Sequence, residues 1–147
     1  MTGIFSKSFA VPRDAIDANG HVNNIAYIQW MQDIAIDHST AVGWPMARYF
    51  ESGFTWVARS HFVEYLRPAF AGEAVSVHTW IGGMSARQSP RRYLFVRDLD
   101  RKLLAKAETM WVCVDVLKGR PIAVPEAMQV AFTIEADEAA VMKRLGL

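Results

Sequence analysis

The segment Asp17-Ala18-Asn19-Gly20-His21-Val22-Asn23-Asn24-Ile25-Ala26-Tyr27 runs a polar, glycine-bent loop directly into an apolar stretch with helical spacing. A helix that starts there presents unpaired backbone amides and the positive end of its dipole to the loop. Negative charge developing on an oxygen is stabilised at such a place. Asp17, a few residues upstream, can activate water or attack a carbonyl held against those amides. The same residue types also suit a plainer role, since Asp17, Asn19 and Asn23 shape turns and cap helices. Residue types alone leave both readings open.

Other side chains with chemical capacity are scattered. His21 can assist a reaction in the loop or serve as a hydrogen-bonded structural histidine. His38, His61 and His78 lack metal-ligand spacing, so no metal is expected. The single cysteine, Cys113, lies in the apolar run Met110-Trp111-Val112-Cys113-Val114 and reads as a core residue without a disulfide partner. Arg87, Arg91 and Arg92 crowd one turn with Ser85 and Ser89, a set of donors suited to phosphate groups or equally to a solvated basic turn. Arg59 is a further cation, on a strand face that can border a cleft.

These residues need a frame to position them. Residues 4–11 predict a first strand, stopped by Pro12. From Asn24 to about Val42 the apolar residues cover most of a helical wheel, with Gln29, Asp33 and Asp37 as one narrow polar stripe. Asn23 or Asn24 supplies the N-cap, and Gly43 followed by Pro45 the stop. A connecting segment near 46–51 leads to four strands, 54–66, 74–81, 92–99 and 103–117, with short links that imply an antiparallel sheet. Several strands carry apolar groups on both faces, as with Trp111 against Met110, Val112 and Val114, so one face should cover the helix and the other a partner chain. Residues 135–145 predict a C-terminal surface helix.

Composition bounds what such a frame can do. A chain of 147 residues with 52% hydrophobic and 21% charged residues is expected to fold as one domain, 1–147, around a packed core. A net charge of +1 gives no broad field for nucleic acid or an anionic membrane. The N-terminus lacks the apolar run of a signal peptide and no stretch is long enough to span a bilayer, so a cytoplasmic protein without nucleic-acid or membrane partners is expected.

The segment from Asp17 to Tyr27 closely resembles the Asp-x-x-Gly-His-Val-Asn-Asn-x-x-Tyr motif of the 4-hydroxybenzoyl-CoA thioesterase and FadM/YbgC-like acyl-CoA thioesterases. The similarity continues through Val63-Glu64-Tyr65-Leu66-Arg67-Pro68-Ala69 and Val112-Cys113-Val114-Asp115, across nearly all of residues 5–133. The resemblance implies an α+β hot-dog fold, an antiparallel sheet wrapped around a long central helix, paired into a homodimer or dimer of dimers. It implies hydrolysis of an acyl-CoA to free acid and CoA, with Asp17 as base or nucleophile and backbone amides near Gly20 to Asn24 as the oxyanion site. Each pocket would then join one chain's Asp17 loop to the other's sheet. Gly20, Val22, Asn23 and Tyr27 belong to the substrate-binding set by the same motif, with His21 and Asn24 beside Asp17. The three phosphates of CoA give Arg87, Arg91 and Arg92, with Arg59 next, a ligand to hold. No cofactor is required beyond CoA as part of substrate and product.

Two departures stand out. Ala15 replaces the first aspartate of the Asp-x-Asp found in many relatives, and Asn24 stands where some place a histidine. Met31, Met46, Met84 and the aromatics suit either an aliphatic tunnel or an aryl pocket. Two rival functions remain on the same fold. One is an enoyl-CoA hydratase or dehydratase, suggested faintly by Asp17-x-Asn19-x-His21, and the other a silent acyl-CoA or acyl-carrier-protein binding module.

Overall fold

A computed structural model describes residues 2–147; Met1, the first residue of the expected domain, lies outside them. Five strands, β1 (Phe5–Ala10), β2 (Phe54–Tyr65), β3 (Ala74–Ile81), β4 (Gln88–Arg97) and β5 (Lys102–Asp115), form one antiparallel sheet in the order β1-β3-β4-β5-β2. Helix α1 (Asn24–Ala41) packs on one face of it, as the hot-dog reading expects. Shorter helices α2 (Met46–Ser52), α3 (Glu126–Gln129) and α4 (Glu138–Arg144) complete the chain. Among the described residues no helix is long and apolar enough to cross a membrane.

Helix α1 begins where Asn23 Oδ1 accepts the Ile25 amide at 2.8 Å and ends at Gly43, whose φ of 95° suits glycine best. Tyr27, Met31, Ile34, Ala35 and His38 recur at helical spacing and form its buried stripe. Strand alternation supplies the complementary surface: Val75 and Val77 of β3, Tyr93 and Phe95 of β4, and Ala105 and Ala107 of β5 all point to α1. Met31 and Phe95 are fully buried there, each contributing roughly 1.5–3 kcal/mol.

Three expectations need correction. Residues expected as a connecting segment form α2, because Tyr49 turns inward against Trp44 and Phe54 and makes a helical turn worth its ordering. Strand β4 starts at Gln88 rather than Arg92; Pro90 conceals this in the sequence, yet its carbonyl accepts the Gly82 amide at 2.8 Å. The second apolar face of the sheet is covered in part by the chain itself, since Val141 of α4 packs on Trp80 and Leu94. Helix α4 thus closes the face at β3 and β4 that was expected to meet a partner, while the strands nearer β2 stay open. The C-terminal helix runs from Glu138 to Arg144, with Asp137 as its cap.

Candidate active site

The loop before α1 is held by its own backbone. Gly20 donates to the Asp17 carbonyl at 3.0 Å, and the Asp17 amide donates to the His21 carbonyl at 3.0 Å. The turn bends through Gly20, whose φ is 84°. Val22 donates to the Ala69 carbonyl at 2.9 Å and Asn23 to that of Ala15 at 2.8 Å, fixing the exit of the loop against the fold. The amides of Gly20, Val22 and Asn23 are therefore consumed. Among the described residues those of His21 and Asn24 have no acceptor, and Asn24 is the first residue of α1.

The Asp17 carboxylate is engaged on one side only. Oδ1 accepts the Asn19 amide at 2.9 Å, closing a side-chain turn, while no described group donates to Oδ2. The carboxyl group is half-buried. His21 is also half-buried, with Nδ1 3.3 Å from the Val22 carbonyl oxygen. The Asn24 carbonyl is tied down by the Tyr65 hydroxyl, which donates to it at 2.8 Å. A free carboxylate oxygen and a free helix-terminal amide in one hydrogen-bonded segment are groups able to direct a nucleophile and hold an oxyanion.

Other expected site residues are placed differently. Tyr27 is 3% exposed, its ring packed edge-on against Trp30, Tyr65 and Phe95, so it presents no surface to a ligand. Burial, with smaller contributions from Tyr65 and Glu73, pushes the pKa of its hydroxyl up to about 12. Val22 is likewise buried, with its amide spent. The three arginines expected at one turn are separated by strand alternation. Arg92 lies on the face away from α1 and pairs with Glu108 at 3.1 Å, whereas Arg91 is buried on the face toward α1. Arg87 stays exposed at the start of the hairpin, near Arg59, whose Nη1 donates to Gln88 Oε1 at 3.3 Å.

Sequence reading missed a cavity of about 170 Å³ between α1, α2 and the sheet, walled by Ala35, Ile36, Trp56, Met84, Arg91 and Trp111 among others. Met46 also lines it, but Met31 lies in the core. Arg91 donates from Nη1 to His38 Nδ1 at 2.9 Å and to Thr79 Oγ1 at 3.1 Å. Burial, reinforced by the Arg91 charge, pulls His38 down to about 3, so the ring is neutral and can accept. Running the β4 alternation back through Pro90 would have placed Ser89 and Arg91 on this wall.

Residues 11–132 match the thioesterase-like superfamily. The chain belongs to that superfamily. Thioester hydrolysis is accordingly its chemistry. No curated protein matches the sequence. Solved structures share the thioesterase-like fold at low identity. A 1,4-dihydroxy-2-naphthoyl-CoA thioesterase from Synechocystis is 20% identical with a TM-score of 0.80, covering 87% of this chain and 94% of its own. A DHNA-CoA thioesterase from Staphylococcus aureus is 18% identical with a TM-score of 0.79, covering 98% and 95%. A hypothetical protein from the same organism, in complex with CoA, is 18% identical with a TM-score of 0.82, covering 93% and 91%.

The neutral His38 makes stability depend on pH. Its folded value lies below its ordinary 6.5, so the unfolded chain takes up a proton that the folded chain refuses. The stability contributed by the neutral ring is complete above pH 6.5 and is lost as pH falls toward 3. Urea unfolding of the parent should show a loss of about 2 kcal/mol between pH 7 and pH 5. His38→Gln, which keeps an acceptor for Arg91 but cannot titrate, should show a distinctly smaller loss. Equal losses in both proteins would assign the acid sensitivity elsewhere, with the buried His78 next.

Proposed function

We propose that this protein hydrolyses acyl-CoA thioesters, with Asp17 as the reacting carboxylate. The observation that carries the reading is the unengaged Oδ2 of Asp17 in the same fixed loop as the unengaged amide of Asn24. A thioester carbonyl set against the unengaged N–H of Asn24 or of His21 is polarised toward attack. As a base, Asp17 removes a proton from water, the hydroxide adds to the carbonyl carbon, and the tetrahedral oxyanion collapses with loss of CoA thiolate. As a nucleophile, it adds directly and gives a mixed anhydride that water then opens. His21, in the same loop with Nδ1 3.3 Å from the Val22 carbonyl oxygen, is the proposed assistant in the proton transfers.

The site is proposed to be shared between two copies. Gln32 to Ser39, the α1 residues that line the cavity, lie roughly 12–22 Å along the helix from Asn24. One chain's Asp17 therefore does not reach its own cavity, and the loop of a second copy must serve it. Strand β2 offers the contact: it ends the sheet, runs from Phe54 to Tyr65, and leaves Val57, Phe62 and Tyr65 exposed. A long apolar edge of this kind invites pairing with another strand. A homodimer or dimer of dimers in the cytoplasm, without nucleic-acid or membrane partners, completes the reading.

Arg59 and Arg87 are the proposed holders of the CoA phosphates. Both are exposed and linked through Gln88, and they stand close in sequence to the cavity residues Trp56 and Ser89. Arg92, paired with Glu108, and the buried Arg91 are not part of that contact.

Asp17→Asn should lower kcat for acyl-CoA hydrolysis by about 10²-fold or more without unfolding the protein, since charge is lost with little change of shape. Near-normal kcat would remove Asp17 from the mechanism, and tight acyl-CoA binding without turnover in the parent would make the protein a silent binding module. Replacing Arg59 and Arg87 together with alanine should raise KM with much less change in kcat, because phosphate contacts are alike in ground and transition states. An unchanged KM would return both arginines to the solvated surface. Sedimentation at micromolar concentration should give a dimer or larger assembly; a stable monomer would break the shared site.

A further inference from the structure

Arg91 is a full charge in a place that offers it no counter-charge. It is 3% exposed and forms part of the cavity wall, yet no carboxylate of the described residues lies within 4.0 Å of it. Its Nη1 is occupied by His38 and Thr79, while Nε and Nη2 have no acceptor among the described residues. The Phe132 ring, 5.6 Å from Cζ, gives only weak compensation. Taking a guanidinium out of water without an anion is strongly unfavourable, and arginine does not escape by losing its proton.

The surroundings define what can supply the anion. Ile36, Met84, Trp56 and Trp111 make most of the wall apolar, Gln32, Ser39, Thr55 and Ser89 are neutral polar residues within it, and the space is small, about 170 Å³. The Trp111 indole N–H does not serve the cavity, since it is buried beside the Tyr93 hydroxyl. Tyr93 itself donates to Thr109 at 3.0 Å. His38 and Thr79 hold the guanidinium in one orientation, which leaves its remaining edge fixed for a planar partner.

We infer that this cavity takes an acyl chain ending in a carboxylate, held as an ion pair by Arg91, so that the substrates are CoA monothioesters of short dicarboxylic acids. The inference rests on the thioesterase reading and deepens it. The thioester end lies toward the Asp17 loop of the second copy, a short stem crosses the apolar wall, and the distal carboxylate meets Nε and Nη2. A neutral chain of equal length leaves the guanidinium buried and unpaired, which is the larger penalty and the source of selectivity.

The test compares length-matched thioesters: glutaryl-CoA against pentanoyl-CoA, and adipyl-CoA against hexanoyl-CoA. The parent should favour the dicarboxylic member of each pair by about tenfold or more in kcat/KM. Arg91→Gln, which can still bond His38 and Thr79, should collapse that ratio toward one. If the variant does not fold, the carboxamide analogue of glutaryl-CoA, assayed with the parent alone, should be hydrolysed as poorly as pentanoyl-CoA. Equal or better hydrolysis of the neutral thioesters by the parent would overturn the carboxylate pocket and leave the thioesterase reading standing. Failure to hydrolyse any acyl-CoA would overturn both.

Discussion

Helix α1 is apolar around most of its circumference, and the rest of the structure follows from how little of it one sheet face can cover. The stripe from Tyr27 to His38 meets β3, β4 and β5, but Ile25 and Ile36 remain 71% and 46% exposed. Tyr27 sets the depth of the helix, wedged against Trp30, Tyr65 and Phe95 at centroid distances of 5.1–5.3 Å. Tyr65 then reaches from the edge strand to the Asn24 carbonyl. The residue next to Asp17's loop is thus positioned by core packing rather than by the loop, which is how a mobile kind of segment becomes a fixed site.

What was legible in the sequence was whatever the hydrophobic period dictates. The cap at Asn23, the helix from Asn24, strand β3 and the long β5 follow from spacing, turn residues and β-branched content. Where polar residues interrupt the period, the reading failed. Ser89, Pro90, Arg91 and Arg92 look like a basic turn, yet they continue β4 and alternate between its faces. Three arginines that are neighbours in the chain thereby become a buried charge, an ion pair and an exposed cation. Helix α2 escaped notice because its seven residues carry too little pattern, its reason for folding being the tertiary contact of Tyr49 with Trp44 and Phe54.

Asp17 and Arg91, the two charges of the proposed site, sit in opposite environments. Asp17 stays half-open to solvent, and one oxygen is steadied by a backbone amide while the other is left available. Arg91 lies beneath α1, where low dielectric strengthens any interaction it makes and enlarges the cost of making none. The neutral His38 fits this arrangement, because a second positive charge at 2.9 Å would repel the first. A carboxylate that performs chemistry needs access, whereas a cation that selects a ligand gains discrimination from burial.

Strand β2 links these charges to assembly. Its first residues, Thr55 and Trp56, line the cavity, while its exposed edge is the one available for pairing beyond β5. Pairing along that edge would bury Val57 and Tyr65 and, in the same step, fix the cavity wall that holds Trp56. The separation of Asn24 from the cavity along α1 then ceases to be a defect of the single chain. It would become the spacing that the proposed two-fold arrangement fills, with each loop brought toward the other copy's wall. If the site is shared as proposed, substrate recognition and association become one energetic event, because whatever orders β2 would also complete the pocket.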